Sequence, residues 1–117
     1  MQYLLMLYSE EGGWERMTPA EQTQAMGAYR AYTEALSQAG ALVGSNRLRP
    51  TNTATTVRIA NGKTQVLNGP FPDSREQLGG YYLIDVPDLD AALSWASRCP
   101  TASHGVVEVR PVWTMAA

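Results

Sequence analysis

"NGPFPDSREQLGGYYLID", residues 68 to 85, sets a turn, a charged stretch and a strand side by side. Pro70 fixes its own φ and has no N–H to donate, while Gly69 before it accepts a positive φ that residues with a Cβ avoid. Asn68 is suited to an Asx turn, its side chain bonding the backbone two residues on. "GGYYLIDV" (79–86) then reads as a strand, and its glycine pair marks a bulge or the close approach of a neighbouring backbone. Upstream, "TATTVRIANGKTQVL" (53–67) sets β-branched residues on both sides of Asn61-Gly62, the strongest short-range hairpin signal. Downstream, "PDLDAALSWASR" (87–98) reads as a helix with Asp88 as its cap and Leu89, Ala92, Leu93 and Ala96 on its buried face. "GVVEVRPVW" (105–113) alternates with period two, so Val107 and Val109 point one way and Val106, Glu108 and Arg110 the other.

The first half completes the order. "QYLLMLYS" (2–9) is short and almost wholly apolar, as a strand covered on both faces should be. "MTPAEQ" (17–22) opens a helix, with Thr18 as N-cap, Pro19 at the first helical position and Glu21 three residues after the cap. The helix runs to about Ala39, where Gly40 takes the left-handed position that ends it, and its stripe is Met26, Tyr29, Thr33, Leu36 and Ala39. "ALVGSNRL" (41–48) is a second strand. Strand, helix, two or more strands, helix, strand, joined by right-handed crossovers, gives an α+β fold. Its simplest form is a ferredoxin-like sandwich, an antiparallel sheet with both helices on one face. In the first strand Tyr3, Leu5 and Leu7 oppose Gln2, Leu4, Met6 and Tyr8, and both sides are too apolar to leave to water, so the helix-free face calls for a cover. The expected assembly is therefore a homodimer built face to face.

Composition sets the outer bounds. The chain has 117 residues, 44% apolar and 17% charged, so it reads as one globular domain able to bury about two-thirds of its unfolded surface. A net charge of -2 and a single lysine, Lys63, argue against a nucleic-acid surface. No apolar run approaches the roughly 18 residues of a membrane span, and the first residues lack the basic region and cleavage site of a signal peptide. One cysteine, Cys99, excludes an internal disulfide and suits a reducing cytoplasm, and no motif around it marks a nucleophile. One histidine, His104, and no close ligand spacing leave no metal site, and no cofactor fingerprint appears.

Several motifs in order, "ATTVRIANGK", "NGPFPDSREQLGGYYLIDVPDLDAALSWA" and "VEVRPV", together with the strand ending in Tyr8 and "AGALVG" (39–44), resemble the YCII-related, or DGPF-domain, family of small bacterial proteins. The resemblance runs nearly end to end. It implies a ferredoxin-like fold assembled as a dimeric α+β barrel. The family's name-giving aspartate is Asn68 here, its later acidic residue is Asp73, and the usual lysine before Glu76 is Arg75. A subset of the family carries a histidine in the first helix, proposed to work with an aspartate; counted back from Ala39-Gly40, that position falls at or next to Tyr29. Tyrosine titrates near 10, so histidine-dependent chemistry is not expected to carry over. The resemblance further implies proximity to extracytoplasmic-function sigma factors, and hence a signalling or accessory role.

Candidate pocket residues follow. Gly69, Pro70 and Phe71 form either a rigid corner for dimer packing, with Phe71 plugging the core, or the rim of a small-ligand pocket. Gly80 beside Tyr82 opens either a bulge or a phenol-lined cleft, while Arg75 and Glu76 read as a solvated pair. Glu108 and Arg110 either form a salt bridge or receive a ligand carboxylate through the arginine fork. Tyr8, Tyr29 and Tyr82 are placed to offer hydroxyls to one cavity. Two functional classes result. One is a dimeric small-ligand-binding or accessory module, with a sigma factor as a candidate partner. The other is a cofactor-free enzyme, an isomerase, dehydrochlorinase or monooxygenase type, acting on an aromatic or lactone substrate.

Overall fold

A computed structural model describes residues 1–72 and 74–114. Asp73 lies outside the described residues. The order is β1 (Gln2–Glu10), α1 (Pro19–Gln38), β2 (Leu42–Arg47), β3 (Thr55–Ala60), β4 (Lys63–Asn68), β5 (Glu76–Asp85), α2 (Leu89–Arg98) and β6 (Val106–Pro111), with single 3-10 turns at 51–53 and 100–103. Four strands make the main sheet in the order β2-β5-β1-β6, antiparallel throughout, with both helices in one layer against it. This is the ferredoxin-like α+β sandwich expected from the pattern.

Local chemistry explains the helix ends. The Glu21 N–H donates to the Thr18 hydroxyl at 3.2 Å, and the Thr18 N–H donates to the Glu21 carboxylate at 2.9 Å, a reciprocal box that satisfies two orphan donors. Gly40 has φ 69°, its N–H donates to the Ser37 carbonyl at 3.0 Å, and the Ala41 N–H reaches the Leu36 carbonyl at 3.0 Å. Ala41 and Leu36 are both buried, the apolar contact that accompanies this stop. Asp88 caps α2 by accepting from the Ala91 N–H at 2.9 Å.

The core lies between the sheet and the helices. Tyr3, Leu5, Tyr82, Ile84 and Val86 meet Tyr32 and Leu36 of α1, Ala92 and Ala96 of α2, and Cys99. Both helical faces are rotated from their expected stripes. In α1 it is Tyr32 that is buried, while Met26 and Ala39 are exposed. In α2 the buried edge is Ala92 and Ala96 with Trp95 beside it, and Leu89 and Leu93 are exposed. The reason is aromatic bulk: the Tyr32 ring packs edge-on to Tyr82 at 5.1 Å and to Trp95 at 6.1 Å, and small alanines let α2 sit close to those rings.

The Asn61-Gly62 hairpin forms as expected, with φ 52° and 75° at its two turn residues. It does not join the main sheet. Among the described residues β3 and β4 pair only with each other, a two-stranded arm inserted in the chain between edge strand β2 and central strand β5. The projecting arm raises the radius of gyration to 16.4 Å, against about 13 Å for a compact domain of this length. Phe71 is 70% exposed and does not plug the core; its ring lies 5.4 Å from the Arg58 guanidinium of the arm. The turn it belongs to stands at the arm's base, outside the layer where a core side chain would point.

Candidate functional site

Antiparallel partners share a face, so register assigns every candidate side chain. Leu5 faces Tyr82 and Val109, whereas Met6 faces Tyr81 and Glu108, Leu4 faces Leu83 and Arg110, and Tyr8 faces Leu78 and Val106. Tyr82 and Leu5 belong to the buried helix side. Tyr8, Glu108 and Arg110 therefore lie on the helix-free face, with Leu4, Met6, Tyr81 and Leu83 among them half-buried within one protomer. Asn46, on edge strand β2, donates to the Tyr81 hydroxyl at 2.8 Å at the far side of this face. Glu108 and Arg110 are exposed in the single chain, and among the described residues neither forms an ion pair. The three tyrosines Tyr8, Tyr29 and Tyr82 do not share a cavity: the sheet separates the first from the other two.

The glycine pair serves as a bulge and as a close backbone approach, one at each residue, and the phenol-lined cleft does not form there because Tyr82 is buried in the core. Leu7 faces Gly80 and Tyr8 faces Leu78, so Gly79 is the extra residue of a bulge. Its carbonyl accepts from the Leu48 N–H at 2.9 Å and carries the chain out of β2. At Gly80 the issue is proximity. A Cβ there would stand 2.9 Å from the Asn46 carbonyl oxygen and 3.5 Å from the Arg47 Cα. Gly69 has φ 102°, a left-handed value that glycine adopts without the cost a Cβ would bring. The turn is held by the Gly69 N–H donating to the Ala54 carbonyl at 2.8 Å and by the Thr56 hydroxyl donating to the Gly69 carbonyl at 2.7 Å.

Bulge and turn together open a cleft of about 420 Å³. Tyr8 and Leu78 of the sheet, Leu48 and Pro50 of the strand exit, and Ala54, Pro70 and Pro72 at the arm's base give it a mainly apolar wall. Arg49, Thr51, Ser74 and Glu76 supply polar groups. Of the expected pocket residues, the structure brings Tyr8 and Pro70 into this cleft, sets Gly69 and Phe71 next to it in the chain, and leaves Tyr29, Gly80, Tyr82, Glu108 and Arg110 out of its lining. Glu11 fixes one wall. Its carboxylate accepts from the Thr51 N–H at 2.8 Å and from the Thr51 hydroxyl at 2.7 Å, and these two bonds hold its pKa below the usual carboxylate value. Arg75 lies 3.6 Å from the Glu10 carboxylate, an exposed pair of little energetic weight.

On the helix side the hydroxyls satisfy one another. Tyr29 and Thr101 share a 2.6 Å hydrogen bond, Thr33 and Tyr82 one of 2.8 Å, and the Tyr32 hydroxyl donates to the Trp95 carbonyl at 2.7 Å. Burial is the main cause that pushes Tyr29, Tyr32, Tyr82 and the Cys99 thiol above their ordinary pKa values. Those shifts move each group away from neutrality. They also give a pH dependence with a definite sign. The unfolded chain releases these protons near pH 9.0 to 10.0, while the folded chain keeps them to higher pH, so the stability they contribute is whole below pH 9.0 and is lost as pH rises above it. Thermal melts from pH 7 to 11 are expected to be level at first and then fall steeply on the alkaline side; a melting temperature that stays level to pH 11 contradicts this network.

His104 is exposed in the loop before β6, and Cys99 is buried in the core. Among the described residues no three His, Cys, Asp or Glu side chains gather as a metal set, and no helix is long and apolar enough to cross a membrane.

Comparison with known proteins adds three findings. The sequence profile of the YCII-related domain matches residues 1–116. An uncharacterised protein of Rhizobium meliloti (strain 1021) is 38% identical over 114 residues, which covers 96% of this chain and 92% of that protein. Among solved structures, 5-chloro-2-hydroxyhydroquinone dehydrochlorinase from Burkholderia phenoliruptrix AC1100, in complex with 2,5-dihydroxybenzoquinone, superposes with a TM-score of 0.58. It is 13% identical, with 99% of this chain and 96% of that one covered, a likeness of fold.

Proposed function

This chain belongs to the YCII-related domain family, and we propose that it acts as a homodimer binding a small aromatic or acidic ligand in the cleft beside the Gly-Pro-Phe turn. The cleft carries the reading. Its apolar wall of Tyr8, Leu48, Pro50, Pro70 and Leu78 suits a ring, and Arg49 suits a carboxylate or phenolate, the mixture that small-molecule sites use. Three prolines and the bulge stiffen the wall in advance, which lowers the ordering cost of binding. Support for the dimer comes from the helix-free face, where Leu4, Met6, Tyr81 and Leu83 form a contiguous half-exposed patch. A two-fold axis through that face lets Arg110 of one copy meet Glu108 of the other. A cytoplasmic, accessory role beside a sigma factor is compatible with such a ligand-bound dimer, and the single buried thiol fits a reducing compartment.

A second reading is a cofactor-free enzyme using the same cleft. What favours it is that a dehydrochlorinase holding a small quinone has this fold, an analogy of scaffold. Two experiments separate the readings. Isothermal titration with hydroxybenzoates and with 2,5-dihydroxybenzoquinone should show saturable binding, weakened about tenfold by Arg49→Ala, or about 1.4 kcal/mol. No heat from any of them at millimolar concentration contradicts the ligand site. Chloride release from 5-chloro-2-hydroxyhydroquinone, followed with a chloride electrode, would establish the enzyme instead.

A further inference from the structure

The arm formed by β3 and β4 has a face that nothing among the described residues covers. Val57 pairs with Val66 and Ile59 with Thr64 on one side of the ribbon, and these three apolar residues are 63%, 60% and 72% exposed for Val57, Val66 and Ile59. The other side carries Arg58, Gln65 and Lys63, with Arg58 lying over Phe71, and one exposed apolar residue, Leu67, near the arm's base. Three large apolar side chains on one face, against two cations, a glutamine and a single leucine on the other, is the alternation of a strand pair that packs on something. A two-stranded hairpin without such packing is marginally stable in water, yet all six pairs of this arm keep register.

We infer that the apolar face of the β3–β4 arm lies on a second copy of this chain, so that the homodimer exchanges arms as well as facing sheets. The inference rests on the dimer reading above. Position supports it: the arm's base, Ala54 and Pro70, shares the cleft with Tyr8, so the arm leaves the body beside the helix-free face. Area supports it too. Four strands about 4.8 Å apart and about 20 Å long make a face of roughly 400 Å², half of the roughly 800 Å² that each partner gives to a standard dimer. The arm face, two strands of six residues, is roughly 200 Å². Two-fold symmetry makes each copy give one arm and receive one, which adds roughly 400 Å² per partner and reaches the usual size.

The test is sedimentation equilibrium of three variants against the wild type. Val57→Lys/Ile59→Lys should raise the dimer Kd at least tenfold, because it puts two charges into the covered face, whereas Gln65→Lys on the opposite face should leave it within twofold. Circular dichroism should be the same for both, since these side chains are exposed in a lone protomer. In the wild type, amide exchange at Val57 and Val66 should slow as protein concentration rises. If Met6→Asp separates the copies while Val57→Lys/Ile59→Lys leaves the Kd unchanged, the sheet-face dimer stands and the arm inference falls. A partner of another kind would then own the arm. A wild-type chain that stays monomeric overturns the dimer reading itself, and the arm exchange with it.

Discussion

Gly105→Ala is expected to cost this fold on the order of 3 kcal/mol, a large loss for a single added methyl group. The residue's backbone does not need a left-handed conformation, so conformational freedom is not the reason. The reason is space. A Cβ at Gly105 would overlap the Tyr8 carbonyl oxygen and stand 3.1 Å from the Ser9 Cβ. The obstacle is the backbone of β1, the central strand paired on both sides, and it has no rotamer by which to give way. Relief requires β6 to slide, and that disturbs the pairing of Tyr8 with Val106 and the Gly105 N–H bond to the Thr101 carbonyl at 2.7 Å. Urea titration measures the loss, and a change under about 1 kcal/mol contradicts the close approach. Gly80→Ala should be milder, because its Cβ would stand 2.9 Å from the Asn46 carbonyl oxygen and not overlap it, so a smaller displacement relieves the contact.

Met6→Asp is expected to abolish dimerisation at micromolar concentration while the protomer stays folded. Met6 sits on central strand β1 between Tyr81 and Glu108 and is half-buried in the lone chain, where a carboxylate can still reach water. Face to face with a second copy, the same carboxylate would be shut in an apolar contact and placed beside Glu108, a like charge. Central, desolvated positions dominate interface energetics, so a Kd increase of about a hundredfold or more, roughly 3 kcal/mol, is the expected size. Sedimentation velocity reads the result directly. A variant that remains dimeric with wild-type affinity removes the helix-free face from the interface.

The contrast between these two positions shows what the sequence can disclose. Both sides of "QYLLMLYS" are apolar and only helix packing shows which is helix-free, but that Leu4, Met6 and Tyr8 share a side was legible, because period-two alternation needs only neighbours in the chain. The same holds for Thr18 with Glu21, for Gly40, for Asn61-Gly62 and for Gly69, each a local motif whose geometry the structure reproduces. Gly105 was not legible. Its constraint comes from the backbone of Tyr8, far away in sequence, and a glycine before a strand looks the same whether or not a carbonyl stands against it. Long-range packing also defeated the helix stripes: Leu89 and Leu93 share the spacing of Ala92 and Ala96, but Tyr32 and Trp95 fill the interlayer and select the small residues. The hairpin is legible as a hairpin in Asn61-Gly62, yet nothing local reveals that it stands apart from the sheet. At the candidate site, Tyr8 and Pro70 were visible as an aromatic strand end and a turn, whereas Arg49, Pro50 and Thr51 became cleft walls only through Glu11, which clamps a turn that lies on the far side of α1 and β2 in the chain.

Sedimentation equilibrium of the wild-type chain at micromolar concentration tests the central claim most directly. A mass of twice 12.8 kDa is the result expected if two copies shield the face that carries Leu4, Met6, Tyr81 and Leu83. A single species of 12.8 kDa across that range would contradict it, and would leave Glu108, Arg110 and the arm to water.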